Sequence, residues 1–232
     1  MASTVKSLPR STFREQIALR LREAIMDGTL APGSPVIESK LASEFGVSRG
    51  PLREAIRELI NEGLLVSRSY TATSVLELST DDVREIYSVR TMFESFAFEL
   101  IWDRRDEAFA KELRRRHAVL LDAIDRDDDE KSIVAELALH SLVFETTGNK
   151  LLASLWDTLR GRVQMYWAAH HRAHGRQGPK RAAHDDYVAL ALGDSLDAMK
   201  REIVELMQRG AKVSEQFIES RVQKPAGADA VR

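Results

Sequence analysis

Apolar positions recur at three- and four-residue steps through most of this chain. Phe13, Ile17, Leu21, Ala24 and Ile25 form the first series, with Arg and Glu between them, and the spacing predicts a helix over 11–26. Asp27-Gly28 ends it, because glycine readily takes the left-handed conformation that a helix terminus needs. Ala31-Pro32-Gly33-Ser34-Pro35 is a turn cluster. A short helix is expected over 38–45, broken by Gly46. Ser48 can cap the next helix, where Pro51 falls in the tolerated first turn. Leu52, Ala55, Ile56, Leu59 and Ile60 form an apolar stripe on that helix, and Gly63 closes it. Arg49, Arg53 and Arg57 recur every four residues and so share a separate flank.

Leu64–Ser67 and Thr73–Leu78 read as two short strands around Arg68-Ser69-Tyr70-Thr71. Three helices and a small hairpin make a winged helix-turn-helix domain over 1–78. From Thr80 onward only helical periodicity is seen, with Ser79 or Thr80 ahead of Asp81-Asp82 as a helix start. The expected spans are 80–103, 106–126, 130–146, 149–172, 179–192 and 194–219, an all-α six-helix bundle over 79–222. Asp125–Glu130 is a charged interruption, Gly175–Pro179 a polar loop, and 223–232 a flexible tail. The fold class expected is therefore mainly α.

Composition narrows the function. Hydrophobic residues make up 44% and charged residues 30% of the 232, as in an ordinary water-soluble chain. No run of about 18 apolar residues suggests a membrane span, and residues 1–10 lack the apolar stretch of a signal peptide. Cysteine is absent, which excludes disulfides and Cys-type zinc sites and suits a cytoplasmic location. The net charge is −2, yet residues 1–75 carry 10 Lys+Arg against 8 Asp+Glu, a net of +2, leaving −4 for the rest. Where the charge sits matters to DNA as much as its sum.

The N-terminal third resembles the GntR family of bacterial transcription regulators. The shared pattern is Gly28-Thr29-Leu30-Ala31-Pro32-Gly33, Leu41-Ala42, Gly46-Val47-Ser48-Arg49, Pro51-Leu52-Arg53-Glu54-Ala55 and Glu62-Gly63-Leu64. The remainder resembles the FCD effector domain of the FadR-type branch. It does so through Val89-Arg90-Thr91-Met92-Phe93-Glu94, Thr147-Gly148-Asn149 with Leu152, and His184, Gly193-Asp194 and Ala198. Six helices rather than seven suit its shorter, VanR-like subgroup.

That resemblance implies a DNA-binding domain in which Arg49 and Arg53 contact operator DNA. Arginine suits the task because its planar fork binds guanine O6 and N7 together or clamps a phosphate. Ser48 can cap the helix and reach a phosphate, Arg57 lies a turn further in, and Arg68 and Tyr70 of the wing can meet the backbone. The wing segment Ser69–Thr73 has no glycine, where relatives place one at the minor groove. The alternative for the arginine flank is a solvated face paired with Glu54 or Glu58. One winged helix covers little DNA, so a homodimer on a palindromic operator is expected, its interface mainly in the helical domain.

For the helical domain the resemblance implies a divalent metal held by one Asp and three His. Here the Asp-x-x-x-His step reads Glu136-Leu137-Ala138-Leu139-His140, the next ligand is His184, and the last falls on Glu205. Two imidazoles and two carboxylates suit Zn²⁺, Mn²⁺, Ni²⁺ or Fe²⁺. The bland alternative pairs Glu136 with His140 and leaves Glu205 in solvent. The resemblance also implies a small-molecule effector, often a carboxylate, with Arg90 as its partner; the alternative is an Arg90–Glu94 pair. Trp156, Tyr166, Trp167 and Tyr187 fill core or line a cavity. His170, His171 and His174 read as a solvated helix end, and Arg114-Arg115-Arg116-His117 as a solvated face.

The leading expectation is thus a ligand-responsive DNA-binding repressor, not an enzyme, with no membrane partner. The alternatives are a metal-dependent enzyme using the bundle His/Glu cluster and a winged-helix protein-interaction module.

Overall fold

A computed structural model describes residues 13–69, 72–174 and 181–222, the side chains of 68–69, 171–174 and 221–222 excepted. It divides into two compact units after Leu76.

In the N-terminal unit, α1 spans Phe13–Met26, α2 Glu38–Phe45 and α3 Arg49–Asn61, followed by strands β1 (Leu65–Ser69) and β2 (Ala72–Val75). The predicted stripes become the core. Ile17, Ala18, Leu21 and Ile25 of α1 meet Leu52, Ala55, Ile56 and Leu59 of α3, with Leu41, Leu64, Leu65, Val75 and Leu76 closing around them. Phe13, expected on the first stripe, is 70% exposed at the helix start. Arg22 clamps α1 to α3 by donating Nε to Glu62 Oε2 at 3.0 Å and Nη2 to Glu62 Oε1 at 2.7 Å. The tight α2–α3 turn depends on Gly46 at φ 63, whose region donates back to Ala42 and Ser43 carbonyls; a side chain is strained at that φ.

Strands β1 and β2 pair antiparallel, Leu65 opposite Val75 and Ser69 opposite Ala72, with an irregularity between Ser67 and Ser69. The Pro-rich segment expected only as a turn also pairs with β2. Val36 N donates to Thr73 O at 2.8 Å, and Val75 N donates to Ser34 O at 2.9 Å.

The second unit holds α4 (Thr80–Ile101), a 3-10 turn (Trp102–Arg104), α5 (Glu107–Asp125), α6 (Asp129–Thr147), α7 (Lys150–His174), α8 (Arg181–Ala191) and α9 (Leu196–Val222). These are the six α-helices expected, among the described residues. Ser79 caps α4 by accepting from Asp82 N, and Asp106 and Asp128 do the same for α5 and α6. α6 is buried on almost every side and packs against α4, α5 and α7, so it is the bundle's axis. Among the described residues no helix is long and apolar enough to cross a membrane. The expected tail over 223–232 and the expected loop over Gly175–Pro179 lie outside the described residues.

Candidate functional site

Two surfaces concentrate chemistry, one in each unit. On α3 the apolar residues point into the core, and the arginine flank is left outward: Arg49, Arg53 and Arg57 are all exposed. The flank is not paired with Glu54 or Glu58. Glu58 turns to α1, within 3.6 Å of Arg14 Nε and 3.7 Å of Arg22 Nη2. Arg53 instead donates Nε to Glu38 Oε2 of α2 at 2.8 Å. Ser48 occupies the N-cap position, but its side chain makes no capping hydrogen bond, so the capping expectation fails and the exposed hydroxyl stays available to a phosphate. Arg68 has its backbone in β1, while its side chain and Tyr70 lie outside the described residues.

The second surface lies inside the bundle. Glu136 and His140 of α6 and His184 of α8 are buried, and their potential ligand atoms all fall within 4.8 Å of one another. A four-residue step puts Glu136 and His140 on one face of α6, and α8 brings His184 across from it. Glu136 and His140 do not pair with each other. Glu136 Oε1 stands 3.2 Å from His184 Nε2, and His140 Nδ1 stands 2.5 Å from Glu94 Oε1 of α4. Tyr187, one turn after His184, donates its hydroxyl to the same Glu94 oxygen at 2.6 Å.

Glu205, the expected fourth ligand, is not part of this cluster. Its side chain is 63% exposed and lies 3.7 Å from Arg209. The buried face of α9 runs through Met199, Ile203 and Met207. Glu205 is two residues from Ile203 and two from Met207, hence on roughly the opposite side of the helix at 3.6 residues per turn.

Burial governs the charges here. It would raise the Glu94 and Glu136 carboxyls, but His140 and Arg90 next to Glu94, and His184 and His140 next to Glu136, outweigh it and hold both below the usual carboxylate range. Burial pushes His140 below the usual imidazole value, Glu94 opposing and Arg90 assisting. Both carboxylates are thus held ionised, while burial disfavours the protonated form of His140. His140 Nε2 is buried with no hydrogen-bond partner. A bare imidazole nitrogen beside a carboxylate and a second imidazole fits a divalent ion of the Zn²⁺, Mn²⁺, Ni²⁺ or Fe²⁺ type.

A cavity of about 760 Å³ adjoins this cluster and is lined by Arg90, Glu136, His184, Tyr87, Trp167 and Met207, among others. Arg90 is 1% exposed. Its guanidinium carbon lies 5.5 Å from the ring centroids of both Trp156 and Trp167. Its Nε is 3.5 Å from Glu94 Oε2, and neither Nε nor Nη2 has a hydrogen-bond partner. Leaving charged N–H groups buried and unsatisfied is costly, so the wall is prepared for an acceptor.

The aromatic residues divide between the two roles considered. Trp156 and Tyr166 are core, Trp156 stacking on Phe144 at 4.5 Å, whereas Trp167 lines the cavity and donates Nε1 to Tyr87 Oη at 2.9 Å. His170 is not a solvated helix end. α7 continues past it, and the side chain is 6% exposed and lines the cavity; the His171 and His174 side chains lie outside the described residues. Arg116 also departs from the solvated-face expectation, donating to Ala138 O at 2.7 Å and Glu145 Oε2 at 2.6 Å to bind α5 to α6. Glu94, which the sequence offered only as the alternative one-turn partner of Arg90, lies beside Arg90 at 3.5 Å and also joins the cluster through His140 and Tyr187.

Comparison with known proteins matches each of the two units to a known domain. Residues 13–75 match the bacterial regulatory proteins of the gntR family, and residues 85–209 match the FCD domain. The HTH-type transcriptional regulator YdhC of Bacillus subtilis is 31% identical over 159 residues, covering 66% of this chain and 71% of that protein. A probable D-xylose utilization operon transcriptional repressor of Paenarthrobacter nicotinovorans is 31% identical, covering 68% and 70%. The gluconate operon transcriptional repressor of Bacillus subtilis is 26% identical, covering 69% and 66%. In fold, E. coli McbR/YncC superposes with a TM-score of 0.73 over 90% of this chain and 99% of that one, at 21% identity. With a helix-turn-helix match in one unit and an FCD match across more than half of the chain in the other, this protein belongs to the GntR family of bacterial regulatory proteins and is a DNA-binding transcription regulator.

Proposed function

We propose that the protein is a repressor that binds a palindromic operator as a homodimer and is released when a small carboxylate occupies the bundle cavity. The observation that carries the effector half is Arg90, a buried guanidinium on the wall of a cavity of about 760 Å³, whose Nη2 makes no hydrogen bond and whose Nε has only the Glu94 carboxylate at 3.5 Å. A carboxylate fits this planar fork better than any neutral group does. Glu136, His140 and His184 would hold a divalent cation beside it, supplying a second electrostatic anchor for the same anion.

Ser48, Arg49, Arg53 and Arg57, with Arg68 on the wing, form the proposed DNA surface. Exposure of the arginine flank supports this reading. Two relatives named as operon repressors support the repressing sense. Control needs only that the anion bind one dimer geometry better than the other, since that difference is what shifts operator occupancy.

The test selects an operator from random duplex DNA, then titrates the full protein against it at fixed salt with a panel of carboxylates. Release by one member, lost in Arg90→Ala while basal DNA binding persists, is the expected result. Release that survives Arg90→Ala would sink the effector assignment.

A further inference from the structure

Glu94 belongs neither to the ligand set expected from sequence nor to the cavity wall, yet it is a carboxylate with no exposure at all. A charge so placed is tolerated only with compensating partners. Its two oxygens have different ones. Oε1 accepts from Tyr187 Oη at 2.6 Å and faces His140 Nδ1 at 2.5 Å. Oε2 makes no hydrogen bond and sits 3.5 Å from Arg90 Nε.

We propose that Glu94 is the positioning residue of the cation centre, holding His140 through Nδ1 so that Nε2 is turned toward Glu136 and His184. The inference rests on the cation-centre reading above. A neutral imidazole that donates Nδ1–H presents Nε2 as a lone pair, and the hydrogen bond at one nitrogen aims the other. His140 Nε2 is buried without a hydrogen-bond partner, and His140 belongs to the group whose ligand atoms converge; with Nδ1 committed to Glu94, Nε2 is the nitrogen left for an ion.

A plain structural ion pair with Arg90 accounts for the carboxylate less well. Such a pair would turn Oε2 into hydrogen-bond contact with the guanidinium; instead the close contacts are those to His140 and Tyr187. Tyr187 follows His184 by three residues on α8. The carboxylate therefore fastens α4 to α6 at one ligand and to α8 one turn beyond the other. The same group keeps its second oxygen beside Arg90, so the cation ligands and the anion-binding arginine are set by one side chain.

The experiment uses the full chain stripped with chelator and dialysed. Zn²⁺ is titrated in competition with a chromophoric chelator for the parent, Glu94→Gln and Tyr187→Phe, and imidazole ¹⁵N spectra of the metal-free parent report the His140 tautomer. Glu94→Gln is expected to weaken Zn²⁺ binding about 10- to 100-fold with an unchanged far-UV circular dichroism spectrum. Tyr187→Phe, which leaves the His140 contact in place, is expected to have a smaller effect. The parent spectrum is expected to show protonated Nδ1 and bare Nε2, an outcome independent of whether the variant folds. Equal Zn²⁺ affinity of the parent and Glu94→Gln overturns the positioning role alone, as does a parent His140 protonated at Nε2. A parent that takes up no Zn²⁺ overturns the cation centre itself and the Glu94 role with it.

Discussion

Arg53 of α3 donates Nε to Glu38 Oε2 of α2 at 2.8 Å, so the helix ahead of the recognition helix already holds one of its arginines in place. Both side chains are substantially solvent-exposed, and an exposed pair is worth about 0.2–1 kcal/mol. A DNA phosphate at Arg53, as proposed, would outweigh that pair, and the Glu38 charge would oppose it. Glu38→Gln is therefore expected to tighten operator binding by at most about fivefold. Arg53→Ala, and Arg49→Ala beside it, should weaken binding by about 1–3 kcal/mol each if a base contact is lost. Fluorescence anisotropy at fixed salt measures all three; weaker binding by Glu38→Gln would mean that the pair orients Arg53 for reading rather than restraining it.

The α1 and α3 helices were legible because each has a one-sided apolar stripe that became core. α6 was legible as a helix but not as the bundle axis, since a helix buried on nearly all sides has no stripe to point with. The pairing of residues 33–36 with β2 was hidden because two prolines and a glycine signal a turn locally, whatever strand lies alongside. Within the cluster, resemblance found Glu136, His140 and His184. The partners were out of reach, because whether Glu136 turns to His140 or His184 depends on where α8 lies. Glu205 failed for a related reason: spacing along a sequence does not say which side of a helix faces inward.

Gly210 of α9 lies close against Tyr87 of α4. A Cβ there would stand 2.7 Å from Tyr87 Cε1, closer than real Cβ contacts come, and 3.1 Å from its hydroxyl oxygen. Tyr87 is itself held by Trp167 Nε1 at 2.9 Å and by Ser214 Oγ at 3.3 Å, so it has little room to retreat. Gly210→Ala should destabilise the helical unit by about 1–3 kcal/mol, the usual cost of overpacking. It should also change Trp fluorescence through Trp167. Thermal unfolding checks the first effect; a variant as stable as the parent would show that Tyr87 can shift freely.

Metal content separates residues that converge from one that does not. His184→Ala and Glu136→Ala each remove a donor from a three-residue group and are expected to abolish stoichiometric Zn²⁺ uptake. Glu205→Ala removes an exposed carboxylate on the other side of α9 and is expected to leave uptake unchanged. Elemental analysis after dialysis against trace Zn²⁺ decides the matter. Loss of metal in Glu205→Ala would return that residue to the ligand set.

The proposed homodimer has a specific face to use. On α4 the cluster-forming residues Arg90 and Glu94 point inward, while Val89, Met92 and Phe96 are 37%, 66% and 45% exposed. Steps of three and four residues align these three on one side of the helix, which a lone protomer leaves in water. Covering this stripe with a second copy would place each cavity one helix thickness from the interface, so a ligand that shifts Arg90 would act on the helix that joins the protomers. Met92→Glu puts a charge at the centre of the stripe and leaves the buried face untouched. It is expected to convert dimer to monomer in size-exclusion chromatography with light scattering, with helicity retained. Operator affinity should fall with it, because two half-sites then no longer bind as one unit. A Met92→Glu protein that remains dimeric would mean that the protomers meet through a different face.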